Sequence, residues 1–469
     1  MQVLPKEATQ VIAEAWDLPD AQTVEDVYQL LLDRAPENKM APRLDAMQQM
    51  VEVLGDPHRS APVIHITGTN GKTSTARMIE SLLLAQDLRV GRYTSPHLES
   101  VTERISVDGE PVDDDTFVRV FNEIAPYVVV VDARLAEAGA PKLTYFELVT
   151  VLAFAVFADA PVDVMVLEVG LGGEWDATNV ADGAVSVVTP IDLDHTDRLG
   201  DTPGEIAQEK SGIIKPQGFL VSAAQDPDAA QVLLEKAQEL GVPFRFEGVE
   251  FGVEERLPGV GGQQITVRGL AGTYPDLLLP LLGEYQASNA AVAIAAVEAF
   301  VGGGEKALAE DIVRDGLGAA SSPGRLELMQ PSPPVVIDAA HNPHGVAASA
   351  AALVETFHPE RLYAVVGALS DKDVDGILQA LMDGYSHLDA QWWFTASDSA
   401  RAIAPETLAQ AAIDLGFPEG SVHSAETVDD AVTQALEAAR TEKTEKGEST
   451  VLITGSVTVA GEARRILKG

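Results

Sequence analysis

HITGTNGKTSTAR, residues 65–77, runs from an apolar β-branched stretch through a glycine-containing turn into a helix-forming segment. Val63–Thr67 reads as a buried strand, and Lys72–Gln86 as a helix with Ala76, Ile79 and Leu83 on one face. Gly68 and Gly71 let the backbone turn tightly, so that successive N–H groups can point at phosphate oxygens. Thr69 and Asn70 complete the turn, Lys72 supplies a point charge for the outer phosphates, and Thr73 offers a hydroxyl to phosphate or metal. The spacing is not the strict one of two glycines with four residues between, because Ile66 stands where the first glycine would be. A plain strand–turn–helix with an exposed lysine is the alternative, but a loop without bulky side chains between a buried strand and a helix favours phosphate.

Outward from this loop, short β-branched runs alternate with amphipathic helices, the signature of α/β units around a largely parallel sheet. Val164–Val169 and Val185–Thr189 read as further buried strands, Gly248–Leu282 as an antiparallel region, and Tyr285–Phe300 as a helix. Composition changes at Gly316–Gly324 (GLGAASSPG), a small, polar linker. The expected division is a P-loop NTPase-like domain over residues 1–318, a linker at 319–324, and a Rossmann-like doubly wound domain over 325–469. In the latter, strands at Val335–Asp338, Tyr363–Val366, Trp393–Thr395 and Val451–Thr454 alternate with four helices. Thr441–Ser449 reads as a solvated loop.

The chain has 469 residues, 46% apolar and 22% charged, with no cysteine. Disulfides, thiolate metal sites and cysteine nucleophiles are therefore excluded, and a reducing cytoplasm is the expected location. Met1–Asp20 has no signal-peptide pattern, and the apolar run Leu148–Ala158 is too short for a bilayer and reads as a core helix. With 72 acidic against 32 basic residues the net charge is −40, so neither nucleic acid nor an anionic membrane is an expected partner. Anionic ligands would need local lysines and arginines acting against that field.

A bound nucleotide calls for a divalent cation and oxygen ligands. Glu168 ends the apolar run DVMVLE, where a strand-end carboxylate is placed to hold magnesium, and Gly172–Gly173 favour close ligand approach there. Asp192, Asp194, His195 and Asp197 cluster past the next strand, with His195 a candidate ligand or acid–base. Lys210, in EKSGIIK, reads on sequence physics alone as a helix-surface lysine. Arg325 (PGRLE), Asp338 and His341 stand at the linker and at a strand end, the usual place for ligand contacts in a doubly wound domain.

Taken together, TGTNGKTS, YTSPHL (Tyr93–Leu98) with ERI (Glu103–Ile105), LTYFE (Leu143–Glu147), LEVGLGG-WDATNV (Leu167–Val180), DHTDRLG, EKSGIIK, DAAHNPHG and GSVTVAGEAR closely resemble the folylpolyglutamate synthase/dihydrofolate synthase family of the Mur ligase superfamily. The matches are collinear from about residue 60 to 465. The resemblance implies ATP-dependent attachment of L-glutamate to dihydropteroate or to the γ-carboxylate of a folate, ATP and folate meeting in the cleft between the domains. It implies two magnesium ions, one on Ser95 and Glu168 and one on His195, with Lys210 carbamylated. Lys72, His195, Lys210 and His341 become the catalytic candidates. Asn289, Arg325 and Asp338 join the loop in ATP binding, and Thr144, Tyr145, Phe146, Trp175, Asp176 and Ala177 line the pteroate site. A monomer is expected. Glu174 departs from the family pattern, which has arginine there. The rival readings are a Mur-type ligase acting on a UDP-linked precursor and a nucleotide switch that makes no product.

Overall fold

The computed structural model describes residues 20–36, 42–259, 261–441 and 449–468. Most of the N-terminal segment Met1–Asp20 and of the acidic–basic loop Thr441–Ser449 lies outside the described residues.

The first sheet has eight strands: β1 (Val63–Thr67), β2 (Val90–Tyr93), β3 (Ile105–Val107), β4 (Glu110–Pro111), β5 (Val164–Glu168), β6 (Gly183–Val188), β7 (Phe219–Ser222) and β8 (Phe244–Phe246). Their order is β4-β3-β2-β5-β1-β6-β7-β8. From β2 to β8 neighbours are parallel, while β3 and β4 run antiparallel at one edge. β1 lies between β5 and β6 and every one of its residues is buried, as expected for a parallel strand covered on both faces. Register places Ile66 beside Glu168 and Thr67 beside Val188, so the phosphate loop and the Glu168 loop leave the sheet side by side at its carboxyl edge.

Helix Lys72–Leu84 starts on Gly71, whose φ of 88° is in the left-handed region that favours glycine. Helix Tyr145–Asp159 is apolar on nearly all sides and buries twelve residues, the pattern of a core helix. Thr144 caps it. The Thr144 N–H donates to Glu147 at 2.7 Å and the Glu147 N–H returns to the Thr144 hydroxyl at 3.3 Å. Arg43 grips the same Glu147 carboxylate with two bonds, at 2.8 and 2.7 Å.

β9 (Gly252–Gly259), β10 (Gly262–Arg268) and β11 (Thr273–Leu279) form a three-stranded sheet ordered β11-β10-β9, with β10 and β11 antiparallel. The last sheet holds β12 (Glu327–Pro331), β13 (Pro334–Ile337), β14 (Arg361–Val366), β15 (Asp389–Phe394), β16 (Val422–Ser424) and β17 (Ser449–Thr454) in the order β12-β13-β17-β14-β15-β16. All its neighbours are parallel except the edge strand β12.

Internal contacts divide the chain into two units. One comprises Met1–Gly252, Gly269–Gly272 and Ala291–Gly316, the other Val253–Arg268, Thr273–Ala290 and Leu317–Gly469. The cut falls inside helix Glu284–Gly302. Two segments that the sequence reading left in the N-terminal domain, 253–268 and 273–290, thus group with the C-terminal unit. A three-stranded sheet inserted between βα elements carries no composition signal of which core it joins.

Candidate active site

Gly68 sits at φ 145°, and a Cβ there would run into the Thr189 hydroxyl, so no larger residue fits. The loop is fastened to the chain beyond β6 by main-chain bonds: Thr69 N–H and Asn70 N–H donate to the Pro190 carbonyl at 2.9 and 3.3 Å. The Thr69 hydroxyl donates to the Asp192 carbonyl at 2.9 Å, and the Asp192 N–H lies 3.0 Å from that hydroxyl. Lys72 folds back over the turn, its Nζ donating to the Gly68 and Thr69 carbonyls at 3.0 and 3.2 Å.

One helical position on, the Thr73 hydroxyl donates to both oxygens of Glu168, at 2.9 and 3.0 Å. Glu168 is 1% exposed and also accepts the Ser95 N–H at 3.3 Å. A buried carboxylate with neutral donors is a hard oxygen site. Among the described residues no three His, Asp or Glu side chains converge as a metal cluster. One carboxylate beside hydroxyls suits magnesium, which takes few protein ligands and completes its shell with phosphate and water.

Lys210 ends helix Pro203–Lys210 and is buried, not on the surface as helix position alone suggested. Its Nζ donates to the Gly68 carbonyl at 2.9 Å. Burial above all, and then nearby Lys72, pull its pKa down to about 7, while Asp194, Asp176 and Glu209 oppose. The helix reaches the loop because Gly173 lacks a side chain: a Cβ there would meet the Glu209 and Lys210 carbonyls, each at 2.8 Å. Gly173 therefore admits a helix, where the sequence reading had it admit a ligand. The cause is the tertiary approach of residues 35 or more positions away.

His195 takes a left-handed φ of 52° ahead of helix Thr196–Leu199, its N–H on the Asp194 carboxylate at 2.9 Å and its Nε2 3.8 Å from the same carboxylate. Of the neighbouring acids, Asp192 engages the loop through its main chain, whereas Asp197 is largely exposed and lies beside Arg198.

Asp176 is buried, and among the described residues its side chain is met by donors. Gly170 N–H and Leu171 N–H reach Oδ2 at 3.0 Å each, and Thr178 gives Oδ1 its N–H at 3.0 Å and its hydroxyl at 2.5 Å. Burial raises its pKa and these bonds lower it, with burial the larger influence. Phe146 packs on Gly170 so closely that a Cβ there would collide with its ring. Tyr145 lies under the Arg104 guanidinium, 5.1 Å from ring centre, and Arg104 Nε donates to His97 Nδ1 at 2.8 Å. Trp175 is half-buried, Ala177 buried and Glu174 exposed. The Arg104–His97 pair escaped the sequence reading, although both residues lie inside the TSPHL and ERI motifs.

In the second unit Asp338 follows β13 and is buried, accepting Leu326 N–H and Ala340 N–H at 2.9 Å each. Burial pushes its pKa up, while nearby Arg325 opposes. His341 Nδ1 lies 2.9 Å from the Ala339 carbonyl, and Asn342 caps helix Pro343–Phe357. Asn289, on helix Glu284–Gly302, is buried and donates to Gln286 at 3.1 Å. The described side chains thus fall into a loop group (Lys72, Thr73, Glu168, Ser95, Lys210), a group about Asp176 and Phe146, and a group about Asp338, with His195 held by Asp194 three positions beyond the loop contact of Asp192.

The Mur ligase middle domain model matches residues 66–297, and the Mur ligase glutamate ligase domain model matches 324–457. The chain is 44% identical over 457 residues to the dihydrofolate synthase/folylpolyglutamate synthase of Mycobacterium tuberculosis, covering 94% of this chain and 93% of the relative. It belongs to that family. The Escherichia coli member is 36% identical over 394 residues, 84% of each chain. Among solved structures, Mycobacterium tuberculosis folylpolyglutamate synthase complexed with ADP and AMPPCP superposes with a TM-score of 0.88 at 43% identity, covering 95% of this chain and 98% of the other. An Escherichia coli enzyme in complex with DHPP and ADP gives 0.80 at 32% identity, over 96% and 99%. The two-domain α/β fold read from the sequence agrees with these family matches.

Proposed function

We infer that this chain joins L-glutamate to the carboxylate of a pteroate or folate at the expense of ATP, releasing ADP and phosphate. Membership of a ligase family whose members carry both synthase names supports the reaction class. The observation that carries it on this chain is the convergence of Lys72 and Lys210 on the Gly68 carbonyl, beside the Thr73–Glu168 pair.

Amide formation from a carboxylate and an amine is uphill in water, so the carboxylate must first be activated. Transfer of the γ-phosphoryl group to the acceptor oxygen gives an acyl phosphate, which the glutamate amine then attacks. The amides of Gly68–Thr73 cradle the phosphates, and the Lys72 ammonium neutralises charge that grows on the outer oxygens in transfer. Glu168, with Ser95 and Thr73, would hold magnesium, whose charge would stabilise those oxygens. His195 and Lys210 would serve a second ion. Lys210 would do so as a carbamate, since an ammonium buried next to Lys72 repels cations and an anionic carbamate attracts them. Thr144, Tyr145, Phe146, Trp175, Asp176 and Ala177 line the pteroate site. Asn289, Arg325 and Asp338 bind ATP, and His341 lies near the glutamate or transferred phosphate. No described helix is long and apolar enough to cross a membrane.

An acceptor labelled with oxygen-18 in its carboxylate tests this directly. One labelled oxygen should appear in the released phosphate for each amide formed, and unlabelled phosphate would exclude the acyl-phosphate route.

A further inference from the structure

His65 lies at the centre of β1, fully buried, and neither the phosphate loop nor the Glu168 site uses it. Its Nε2 is 2.8 Å from the Thr178 hydroxyl, and that hydroxyl is 2.5 Å from Asp176 Oδ1. Nδ1 is buried and has no hydrogen-bond partner among the described residues. Two independent considerations fix the proton. Three main-chain N–H groups already point at the two Asp176 side-chain oxygens, which marks both as acceptors, so the Thr178 hydroxyl gives its single hydrogen to Asp176 and keeps only lone pairs for His65. A buried N–H without an acceptor is also the rarer and costlier orphan, so a bare Nδ1 is preferred to a protonated one. Burial, with Lys215 adding to it, takes the ring's pKa down to about 3, so the ring is neutral.

We propose that His65, neutral and carrying its proton on Nε2, is a positioning residue that orients Asp176 through Thr178 and so fixes the 170–176 loop that lines the acceptor site. The chain of bonds is continuous. His65 donates to Thr178, Thr178 donates to Asp176, and Asp176 collects the amides of Gly170 and Leu171 just after Glu168. From the same strand the Thr67 hydroxyl donates to the Gly172 carbonyl at 2.7 Å, so β1 holds both ends of the turn. The assignment of this loop to the acceptor rests on the proposed function; the tautomer does not.

Histidine-selective nitrogen-15 NMR of the whole enzyme reads the tautomer directly, with His65→Gln identifying the resonance. The expected signal is one protonated Nε2 and one bare Nδ1, unchanged from neutral pH to about pH 5; an Nδ1-protonated ring or an imidazolium would overturn the proposal. In steady-state kinetics His65→Leu and Thr178→Val should each raise the KM for the pteroate or folate about tenfold, the loss of one buried bond, with the KM for ATP unchanged. His65→Gln, whose amide can donate to Thr178, should recover most of that loss. An equal rise in both KM values, or no rise at all in Thr178→Val, would reduce His65 to a core residue. Should His65→Leu fail to fold, Thr178→Val and the wild-type spectrum still decide. An inactive wild-type enzyme with the expected spectrum would refute the function and leave the bond network standing.

Discussion

The Nζ of Lys210 donates to the carbonyl of Gly68 at 2.9 Å, across 142 positions of sequence. This bond ties the end of one helix to the turn that begins another, and it brings a second amine within reach of the phosphate loop. Everything chemical about the first unit follows from how that turn is held. Pro190 accepts its amides, Lys72 folds over it, and Glu168 is drawn to its flank by Thr73.

Lys72→Ala should reduce kcat by about a hundredfold to a thousandfold, the usual loss of a preorganised charge at the reacting oxygens. The fold should survive, because Lys72 is only partly buried and bonds to carbonyls of its own turn. Glutamate-dependent ADP release, measured beside thermal unfolding, separates the two effects. Retention of activity within about threefold would remove Lys72 from the chemistry.

Asp176→Asn places an amide where only acceptors serve. Four donors now face the carboxylate, and an NH₂ group would oppose at least one of them. A stability loss of ~1–3 kcal/mol follows from leaving a buried donor unmet, measured by urea unfolding. The KM for the acceptor should rise more than that for ATP.

His65 gives a pH signature in stability. Burial holds its folded pKa at about 3, below the ordinary histidine value of 6.5. Between those values the unfolded chain holds the extra proton, so this residue makes stability fall as pH drops from 6.5 towards 3, by up to ~1.4 kcal/mol per pH unit. Unfolding free energies of wild type and His65→Gln, measured from neutral pH down to about pH 4, should converge on acidification. Parallel curves would contradict a neutral buried ring.

Much of this was legible beforehand, and the exceptions share one cause. β1, the turn and helix Lys72–Leu84 announce themselves locally, through an apolar β-branched run, two glycines and a 3.6-residue period. Helix Glu284–Gly302 likewise stands within two residues of the Tyr285–Phe300 helix read from its sequence. Lys210 read as a surface lysine because its burial depends on Gly173 letting a distant helix approach, a fact of packing rather than of pattern. Short strands such as β3, β4 and β12 were missed because two to five residues at a sheet edge carry little periodicity. Residues 253–268 and 273–290 went to the other unit because strand pattern does not say which core a strand joins. The His65–Thr178–Asp176 chain was invisible because a histidine amid an apolar strand looks like any other core position.

The net charge of −40 predicts a salt effect. Substrate anions are repelled at long range, whereas the loop acts on them at contact distance. Raising ionic strength from ~0.01 to ~0.15 M shortens the screening length from ~30 to ~8 Å, which removes the former far more than the latter. kcat/KM for ATP and for the acceptor should therefore rise severalfold with little change in kcat. A steady fall with added salt would show that local attraction dominates.

The most direct measurement is ADP release by the purified chain with magnesium and ATP, with L-glutamate and a pteroate or folate each present or withheld. One ADP per glutamylated product is expected, and no more than a trace of ADP when either is withheld. ADP formed at an equal rate without glutamate or without the acceptor would contradict it.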